Sequence, residues 1–332
     1  MKKLLALAGA AFLVLILLLF AALKEINAPA AATHGAVTAT ITPGMHLSQA
    51  AKMLEAAGAV KSAAAFIIVA KLHRLGNNLK AGEYELDPGQ KPVELLRQLA
   101  EGRVKLHPFT VPEGFTMRQI AELAAAKGLC SAADFLKAAA DKKLLDEFAI
   151  NAASAEGYLM PETYHFRKEA GGSAVVRTML ATFTKKTAPL RRKYQGQTAT
   201  LHQIVTLASI VEKEAAGPDE YPLIAAVFYN RLRRAMPLQA DPTVIYAMPD
   251  FDGNIRKKDL SIDSPYNTYR YRGLPPGPIA NPGMGAMEAA YAPASAHYLY
   301  FVAMGKVKKH HFSATLKEHN EAVRKYQLGG RG

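Results

Sequence analysis

Hydrophobic residues recur at helical spacing in residues 201–217, LHQIVTLASIVEKEAAG. At about 100° per residue, the apolar residues of this segment share one arc that should face a core: Ile204, Leu207, Ala208, Val211 and Ala215. Lys213 points to the opposite side. Glu212 and Glu214 flank the arc, so only one of the two carboxylates can face a given cleft. A Gly-Pro pair should stop the helix, with Gly217 in a left-handed cap.

Glu214 falls in the last turn of this helix, where the partial negative charge of the helix end disfavours a carboxylate. Leu207, Ile210 and Val211 precede it and should desolvate it, so both effects should raise its pKa. A glutamate that is protonated near neutral pH is what general acid catalysis requires. The alternative is that Glu212 and Glu214 are both surface residues in i,i+4 pairs.

Two stretches of the N-terminal half repeat each other at an offset of 70 residues. Residues 44–58 align with residues 114–128, and the identical pairs are Gly44/Gly114, Gln49/Gln119, Ala51/Ala121, Ala56/Ala126 and Gly58/Gly128. Each copy begins with a β-like run, 37–41 or 109–111, and continues with a turn and an amphipathic helix that glycine closes. This pattern resembles the first half of LysM modules, which bind glycan chains containing N-acetylglucosamine. A purely structural β-α unit is the alternative.

The remaining segments predict a mixture of helices and strands, and therefore an α+β fold. Helical spacing covers residues 66–75, 92–102, 130–150, 175–187, 223–232 and 316–326, and strand-like runs cover residues 80–86, 298–303 and 310–313. Between them lie an aromatic, turn-rich segment at 156–166 and a long polar region at 239–285. A loop region of this length within a compact domain is usually functional.

The N-terminus carries an uncharged segment, residues 4–23, behind Lys2 and Lys3. This matches the length of about 20 residues that a helix needs to cross a bilayer, and it exceeds the core of a secretory signal. Two lysines and the amino terminus outweigh Lys24, which predicts a single-pass inner-membrane anchor with a cytoplasmic N-terminus and a periplasmic body. The small residues at 28–30 leave a cleaved signal as the alternative.

The formal net charge of +13 predicts an acidic partner or an acidic neighbouring surface. Nucleic acid is not expected, because the sequence carries no zinc-finger or RNP motif and a chain tethered outside the cytoplasm rarely meets it. Anionic lipid head groups and the carboxylates of cell-wall peptides remain as candidates. The lone Cys130 excludes an internal disulfide. No metal site is predicted, since no CxxC or HExxH spacing occurs and no acidic cluster accompanies His310, His311 and His319.

Several motifs stand in order along the chain: EGYLMPETY (156–164), ASIVEKEA (208–215), FYNRL (228–232), ADPTVIY (240–246), SPYNTY (264–269), GLPPGPIANPG (273–283), YLYFVA (298–303) and HFSATLKEHN (311–320). Together they resemble the YceG-like family of endolytic murein transglycosylases. The resemblance covers nearly the whole chain, from the apolar N-terminus to the closing helix.

The resemblance implies that Glu214, the second glutamate of the EKE triplet, is the catalytic residue. It implies lytic cleavage of the β-1,4 bond between N-acetylmuramic acid and N-acetylglucosamine in peptidoglycan, and no cofactor is expected. Glu214 would protonate the leaving oxygen and then deprotonate the muramic acid 6-hydroxyl, whose attack gives a 1,6-anhydro end. The resemblance also implies an inner-membrane protein that works beside peptidoglycan synthases and terminates strand elongation.

Polar residues near the loop region are candidates for binding the substrate: Gln239, Asp241, Asn267, Tyr269, Asn230 and Glu156. Several have structural alternatives. Asn267 would shape a turn and Tyr269 would pack. Asp241 would cap a helix that begins at Pro242. Glu212 is expected to give structural support as an ion-pair or hydrogen-bond partner.

Two other functions fit parts of the pattern. A hydrolase of the same bond would use Glu214 as acid and Asp241 or Glu212 as base. A non-catalytic, membrane-anchored scaffold would bind peptidoglycan through the LysM-like repeats.

These inferences divide the chain into a cytoplasmic end (1–3), a transmembrane helix (4–23), a linker (24–36), a LysM-like subdomain (37–106), a second repeat with connecting helices (107–195), a catalytic domain (196–328) and a tail (329–332). The expected fold is α+β: a membrane helix, a small β-α LysM-like subdomain, and a mixed α/β catalytic domain whose cleft is walled by the 239–285 loops.

Overall fold

The chain divides into two units, Met1–His107 and Pro108–Gly332. A computed structural model describes residues 2–31, 35–305, 307 and 309–329, and only the backbone at residues 2–6 and 8. Parts of the expected cytoplasmic end, linker, catalytic domain and tail lie outside the described residues, namely 1, 32–34, 306, 308 and 330–332.

The first unit contains helices around one pair of strands. Its elements are α1 Lys2–Ile26, β1 Val37–Ile41, α2 Leu47–Ala56, α3 Ala63–Leu72, β2 Gly82–Leu86 and α4 Pro92–Glu101. Strands β1 and β2 pair antiparallel, with Val37 opposite Leu86 and Ile41 opposite Gly82. Their core is apolar and includes Leu54, Phe66, Tyr84, Leu96 and Leu99. The expected strands at 37–41 and 80–86 and the helix at 92–102 are therefore present.

Helix α1 contains the apolar N-terminal segment. Its residues Gly9–Ile26 have a mean hydropathy of 2.3 and are long and apolar enough to cross a membrane. Phe12, Leu15 and Phe20 are each more than half exposed. Exposed apolar side chains on such a helix are compatible with a single-pass membrane anchor.

The second unit begins with a second β-α-α arrangement. Its first elements are β3 His107–Thr110, which starts at the boundary residue, α5 Met117–Ala126, α6 Ala132–Ala139, α7 Lys142–Glu147 and β4 Thr163–Phe166. Strand β4 pairs with β3, although a turn-rich segment was expected there. Its burial alternates, with Tyr164 and Phe166 buried and Thr163 and His165 exposed, and this period of two is the strand signal that the aromatic segment contained. The helix expected at 130–150 is broken into α6 and α7.

Identical residues of the two repeats have the same local roles. Gln49 accepts a 3.0 Å hydrogen bond from the His46 N–H at the start of α2. Gln119 accepts one of 2.9 Å from the Thr116 N–H at the start of α5. The flanking glycines adopt positive φ in both copies, with +79° and +75° at Gly44 and Gly114 and +75° and +68° at Gly58 and Gly128. The sequence repeat is therefore a structural repeat, because turns and helix starts recur in it.

The remaining elements of the second unit are α8 Gly172–Lys193, α9 Leu201–Glu214, α10 Tyr221–Arg233, α11 Asp241–Tyr246, α12 Met284–Tyr291, β5 Tyr300–Ala303, β6 His310–Ser313 and α13 Leu316–Tyr326. Strands β5 and β6 pair antiparallel. Helix α9 packs against α10, α11 and α12, which places it at the centre of this unit. The structure is thus a mixed α/β fold with one apolar N-terminal helix.

Candidate active site

Helix α9 carries Glu214 as its last residue. The helix begins with a capping box, in which Thr200 Oγ1 accepts from the Gln203 N–H and Gln203 Oε1 accepts from the Thr200 N–H. It ends because Ala215 turns to extended backbone, with φ −71° and ψ 139°. The expected left-handed cap at Gly217 is wrong, since its φ of −175° is extended backbone. Glu214 nevertheless stands in the last turn, as predicted.

The surroundings of α9 differ from the one-sided arc expected from its sequence. All residues from Ile204 to Val211 are buried, including Thr206 and Ser209. The buried Ser209 hydroxyl accepts a 3.0 Å hydrogen bond from the Ile279 N–H. Ala215, expected to face the core, is partly exposed. A helix that is surrounded on several sides fixes the position of its last residue more firmly than a surface helix does.

Glu214 lines a pocket of about 280 Å³. The pocket lining consists of Glu214, Arg231, Leu238, Gln239, Asp241, Tyr269, Phe301 and His319. The structure therefore brings together Glu214 with Gln239, Asp241 and Tyr269, which the sequence had singled out as substrate contacts. The roles of these residues in binding or catalysis stay predictions.

The Glu214 carboxyl group is held largely in its protonated form. Burial in the pocket, followed by the negative charge of Asp241, raises its pKa to about 8, and the positive charge of Arg231 opposes this shift. The upward direction agrees with the sequence argument, but desolvation is the dominant cause. At pH 7 such a group can donate a proton.

Asp241 is the first residue of α11 and does not cap that helix through its side chain. Its carboxylate accepts a hydrogen bond from the Tyr269 hydroxyl instead. Gln239 precedes it with a φ of +49°, which is uncommon for a residue with a side chain. The Gln239 N–H donates to the Thr268 carbonyl at 3.1 Å, which ties the two sides of the pocket together.

Arg231 is a pocket residue that the sequence analysis missed. Its guanidinium is buried and donates to the carbonyls of Leu299 at 2.7 Å and Leu238 at 2.8 Å. It also lies over the Tyr300 ring, 5.3 Å from the centroid. The sequence did contain a signal for Arg231. It lies four residues after Val227, on the apolar face of α10, and a charged side chain on a buried face needs polar partners.

His319 also lines the pocket. Its ring stacks on Tyr300 with centroids 5.1 Å apart. Burial, followed by the charge of Arg231, lowers its pKa, so the imidazole is neutral at pH 7. Its buried Nδ1 has no hydrogen-bond partner among the described residues. The HFSATLKEHN motif contained this residue, but only a metal role was considered for it.

Asn230 and Asn267, two further candidates, do not line this pocket. The Asn230 amide donates to the carbonyls of Ala296 and Tyr298 at 2.9 and 2.8 Å, which joins α10 to the approach to β5. The Asn267 Oδ1 accepts from the Tyr269 N–H at 3.0 Å, while its amide donates to two loop carbonyls. Both asparagines shape the segments that carry pocket residues, and direct contact with substrate stays a prediction.

Glu156 lies in a separate network. It is 5% exposed and accepts hydrogen bonds from the Met117 N–H at 2.9 Å, the Tyr246 hydroxyl at 3.2 Å and the Asn281 amide at 2.9 Å. Burial raises its pKa to about 7, against the opposing effect of these hydrogen bonds. Glu156 is not among the residues that line the Glu214 pocket.

Glu212 is not among the residues that line the Glu214 pocket. It accepts hydrogen bonds from the Tyr221 hydroxyl and from the Gly283 N–H, which link α9 to the starts of α10 and α12. Among the described residues, no group of three or more histidine, cysteine or acidic side chains is arranged to hold a metal ion. His310, one of the histidines considered for such a site, instead pairs with Glu220 at 2.7 Å.

The sequence of this chain is similar to that of a known family and of several known proteins. The YceG-like family matches residues 39–325. An endolytic murein transglycosylase of Bacillus subtilis (strain 168) is 34% identical over 313 residues, which cover 87% of this chain and 84% of the relative. One of Streptococcus pneumoniae serotype 2 is 33% identical over 318 residues, which cover 86% of this chain and 58% of the relative.

A solved structure is similar as well. The 2.6 Å crystal structure of a yceG-like protein from Listeria monocytogenes has a TM-score of 0.61 and 35% identity, and covers 87% of this chain and 99% of that chain. The family match spans most of the sequence, including every residue that lines the Glu214 pocket. This chain belongs to the YceG-like family.

Proposed function

We propose that this chain is a peptidoglycan lytic transglycosylase that cleaves the β-1,4 bond between N-acetylmuramic acid and N-acetylglucosamine within glycan strands. One observation carries the proposal: the Glu214 carboxyl group, with a pKa raised to about 8, faces a polar pocket at the end of a buried helix. The names of relatives that are 33–34% identical, endolytic murein transglycosylases, support the choice of substrate.

The reaction needs one group that gives and takes a proton. Protonated Glu214 donates to the bridging oxygen as the bond from the anomeric carbon to that oxygen breaks. The muramic acid 6-hydroxyl then attacks the anomeric carbon, and the Glu214 carboxylate accepts its proton. The acid is regenerated, no water is consumed, and the strand ends in a 1,6-anhydro sugar. Arg231 favours the intermediate carboxylate, since its charge lowers the Glu214 pKa.

A single acid suffices because the nucleophile belongs to the substrate. An intramolecular hydroxyl avoids the entropy cost of bringing in a separate reactant. Positive charge that develops on the sugar ring is stabilised by the nearby Asp241 carboxylate, which the Tyr269 hydroxyl orients. We therefore assign catalysis to residues 196–328.

Hydrolysis of the same bond is the second candidate. Asp241 lines the same pocket as Glu214, so a water between them would have an acid on one side and a base on the other. Both reactions use Glu214 as the acid. They differ in whether water or the 6-hydroxyl attacks.

Product analysis tests the proposal. Purified wild type is incubated with un-crosslinked glycan strands, and the ends are identified by mass spectrometry. Anhydro ends, lighter by one water than reducing ends, are expected from wild type, and no cleavage is expected from Glu214→Gln. Reducing ends would favour the hydrolase. Absence of cleavage by wild type would favour the non-catalytic scaffold, whereas full activity of Glu214→Gln would show that Glu214 is not the acid.

For the first unit we propose a LysM-like role in holding the glycan. The order β1-α2-α3-β2 with an antiparallel pair supports this assignment for residues 37–106. A pocket of about 550 Å³ lies beside the start of α2, lined by His46, Leu47 and Asn77 among others. A second β-α unit follows in residues 107–195.

We also propose a cellular location: an inner-membrane protein with α1 as a single-pass anchor, its N-terminus in the cytoplasm and the chain after residue 23 in the periplasm. The length and hydropathy of α1 and the lysines before it support this topology. Cleavage of nascent strands from this position would terminate their elongation beside peptidoglycan synthases.

A further inference from the structure

A second pocket, of about 450 Å³, lies in the Pro108–Gly332 unit around Glu156. We call it the Glu156 pocket. The residues that matter below are Met117, Arg118, Glu156, Ile245, Tyr246 and Phe251. They come from the start of α5, the segment before β4, and the end of α11 with the loop that follows it. None of them lines the Glu214 pocket.

Glu156 is fixed in place at this pocket. The Met117 N–H, the Tyr246 hydroxyl and the Asn281 amide all donate to its carboxylate. Asn281 is itself held, since its Oδ1 accepts from the Leu159 N–H at 2.9 Å. A buried acceptor whose rotamer is locked by several donors is pre-organised for a polar ligand group.

The rim of the pocket combines apolar rings with one positive charge. The Tyr246 ring packs on Tyr266, with centroids 5.0 Å apart, and Phe251 adds a partly exposed ring. Arg118 is exposed and makes no ion pair with the described residues. A mostly apolar cleft with a few fixed polar groups and a free guanidinium suits a ligand that has an apolar face, hydroxyl or amide groups and a carboxylate.

Helix α11 connects this pocket with the Glu214 pocket. Asp241, at its first position, lines the Glu214 pocket, and Ile245 lines the Glu156 pocket. Residues four apart lie on the same face of a helix, about 6 Å apart along its axis. Helix α11 therefore contributes a residue to each pocket from positions that are one turn apart.

We propose that the Glu156 pocket is a distal saccharide subsite, which holds a carboxylate-bearing amino sugar of the same strand that Glu214 cleaves. Arg118 pairs with the sugar's lactyl or peptide carboxylate, Tyr246 and Phe251 cover its apolar face, and Glu156 accepts from a hydroxyl or amide. This assignment rests on the proposed function, because it concerns the same substrate.

The experiment measures strand binding by calorimetry in full-length Glu214→Gln, and KM for cleavage in the otherwise wild-type chain. Arg118→Ala and Phe251→Ala are each expected to weaken strand binding and raise KM about tenfold, the effect of losing one charge-assisted or stacking contact. Arg118→Lys should recover part of the loss. Arg192→Ala, an exposed arginine on α8, is the matched control and should leave both values unchanged.

The outcomes separate this inference from the proposed function. If wild type cleaves strands but Arg118→Ala and Phe251→Ala bind and cleave them as wild type does, the distal subsite is wrong. If wild type cleaves nothing and binding to Glu214→Gln still depends on Arg118, the subsite stands and the reaction is wrong. Thermal unfolding of each variant checks that a loss of binding does not come from loss of the fold.

Discussion

Glu212 and Tyr221 are joined by a hydrogen bond of 2.8 Å from the tyrosine hydroxyl to Oε1 of the carboxylate. The other carboxylate oxygen accepts from the Gly283 N–H at 3.0 Å. Glu214, one residue beyond Lys213, makes no side-chain hydrogen bond with the described residues and faces the pocket instead. The first glutamate of the EKE triplet thus joins helices, whereas the second lines the pocket.

The pH dependence of cleavage should report the Glu214 proton. Because its pKa is raised to about 8, the acid is protonated through neutral pH and is lost as the pH rises above that value. We expect kcat/KM on glycan strands to fall about tenfold per pH unit above the midpoint. A pH–rate profile with initial rates of strand cleavage measures this midpoint.

Asp241→Asn should move that midpoint to lower pH. The Asp241 charge is one cause of the raised Glu214 pKa, so its removal favours the carboxylate at a lower pH. Asp263→Asn is the matched control, because Asp263 accepts from the Tyr271 hydroxyl in a similar pair on the exposed surface. Equal midpoints in Asp241→Asn and wild type would contradict coupling between Asp241 and Glu214.

The sequence located part of this pocket and missed the rest for physical reasons. Glu214, Asp241 and Tyr269 stand in polar motifs, and helical periodicity places Glu214 at a helix end. Arg231 and His319 were not identified from the sequence. Arg231 bonds to backbone carbonyls and His319 stacks on the Tyr300 ring of β5, and only tertiary packing brings these partners near them. A charged residue on the apolar face of a helix can be recognised in the sequence, but the groups that neutralise its charge cannot.

For helix α9, too, the sequence predicted the local structure but not the contacts with distant parts of the chain. Its existence and its last turn followed from periodicity, whereas its burial from Ile204 to Val211 depends on α10, α11 and α12, which come later in the chain. The early stop at Glu214 was also beyond sequence reasoning. Gly217 offered a left-handed cap, but the chain leaves the helix two residues earlier through the extended Ala215.

Stability should fall as the pH rises, and Glu156 should contribute to that fall. Its pKa is about 7 in the folded chain, against an ordinary value of 4.5. The folded state therefore keeps a proton that the unfolded chain releases, so this contribution is complete below pH 4.5 and is lost as the pH rises through about 7. We expect a loss on the order of 2 kcal/mol between pH 5 and pH 8 from this group.

Denaturant unfolding at these two pH values measures the effect. Glu156→Gln should show a smaller decline than wild type, because an amide does not titrate. Glu122→Gln, at an exposed position on α5, should decline as wild type does. If the decline in Glu156→Gln equals that of wild type, the carboxyl group is already ionised in the folded protein at low pH.

Arg231→Lys should destabilise the second unit and impair cleavage. The guanidinium donates to Leu299 on one side and to Leu238 on the other, and a lysine ammonium cannot hold both positions in the same planar geometry. We expect a loss of about 2–3 kcal/mol in the free energy of unfolding and a lower kcat. Arg234→Lys, three residues on and exposed, should stay within about 0.5 kcal/mol of wild type.

Gly157→Ala should destabilise the chain more than Gly171→Ala, although both glycines have almost the same positive φ, +85° and +87°. An added Cβ at Gly157 would lie 2.4 Å from Pro278 Cγ and 2.7 Å from Val205 Cγ1, whereas at Gly171 it meets open space. Gly171→Ala should therefore cost only the backbone strain of a positive φ, about 1–3 kcal/mol. Gly157→Ala should add about 1–3 kcal/mol for overpacking.

Denaturant unfolding gives the free energy of unfolding of each variant. The difference between the two values measures the cost of overpacking at Gly157, because both variants have the strain of a positive φ. Gly157→Ala should also weaken the binding of glycan strands when it is combined with Glu214→Gln. The displaced backbone carries the neighbouring Glu156 away from the Met117 N–H and the Tyr246 hydroxyl. Gly171→Ala has no such effect on Glu156. Equal losses of stability in the two variants would mean that the backbone at Gly157 moves away from Pro278 without cost, and that the Glu156 network is not held rigidly by it.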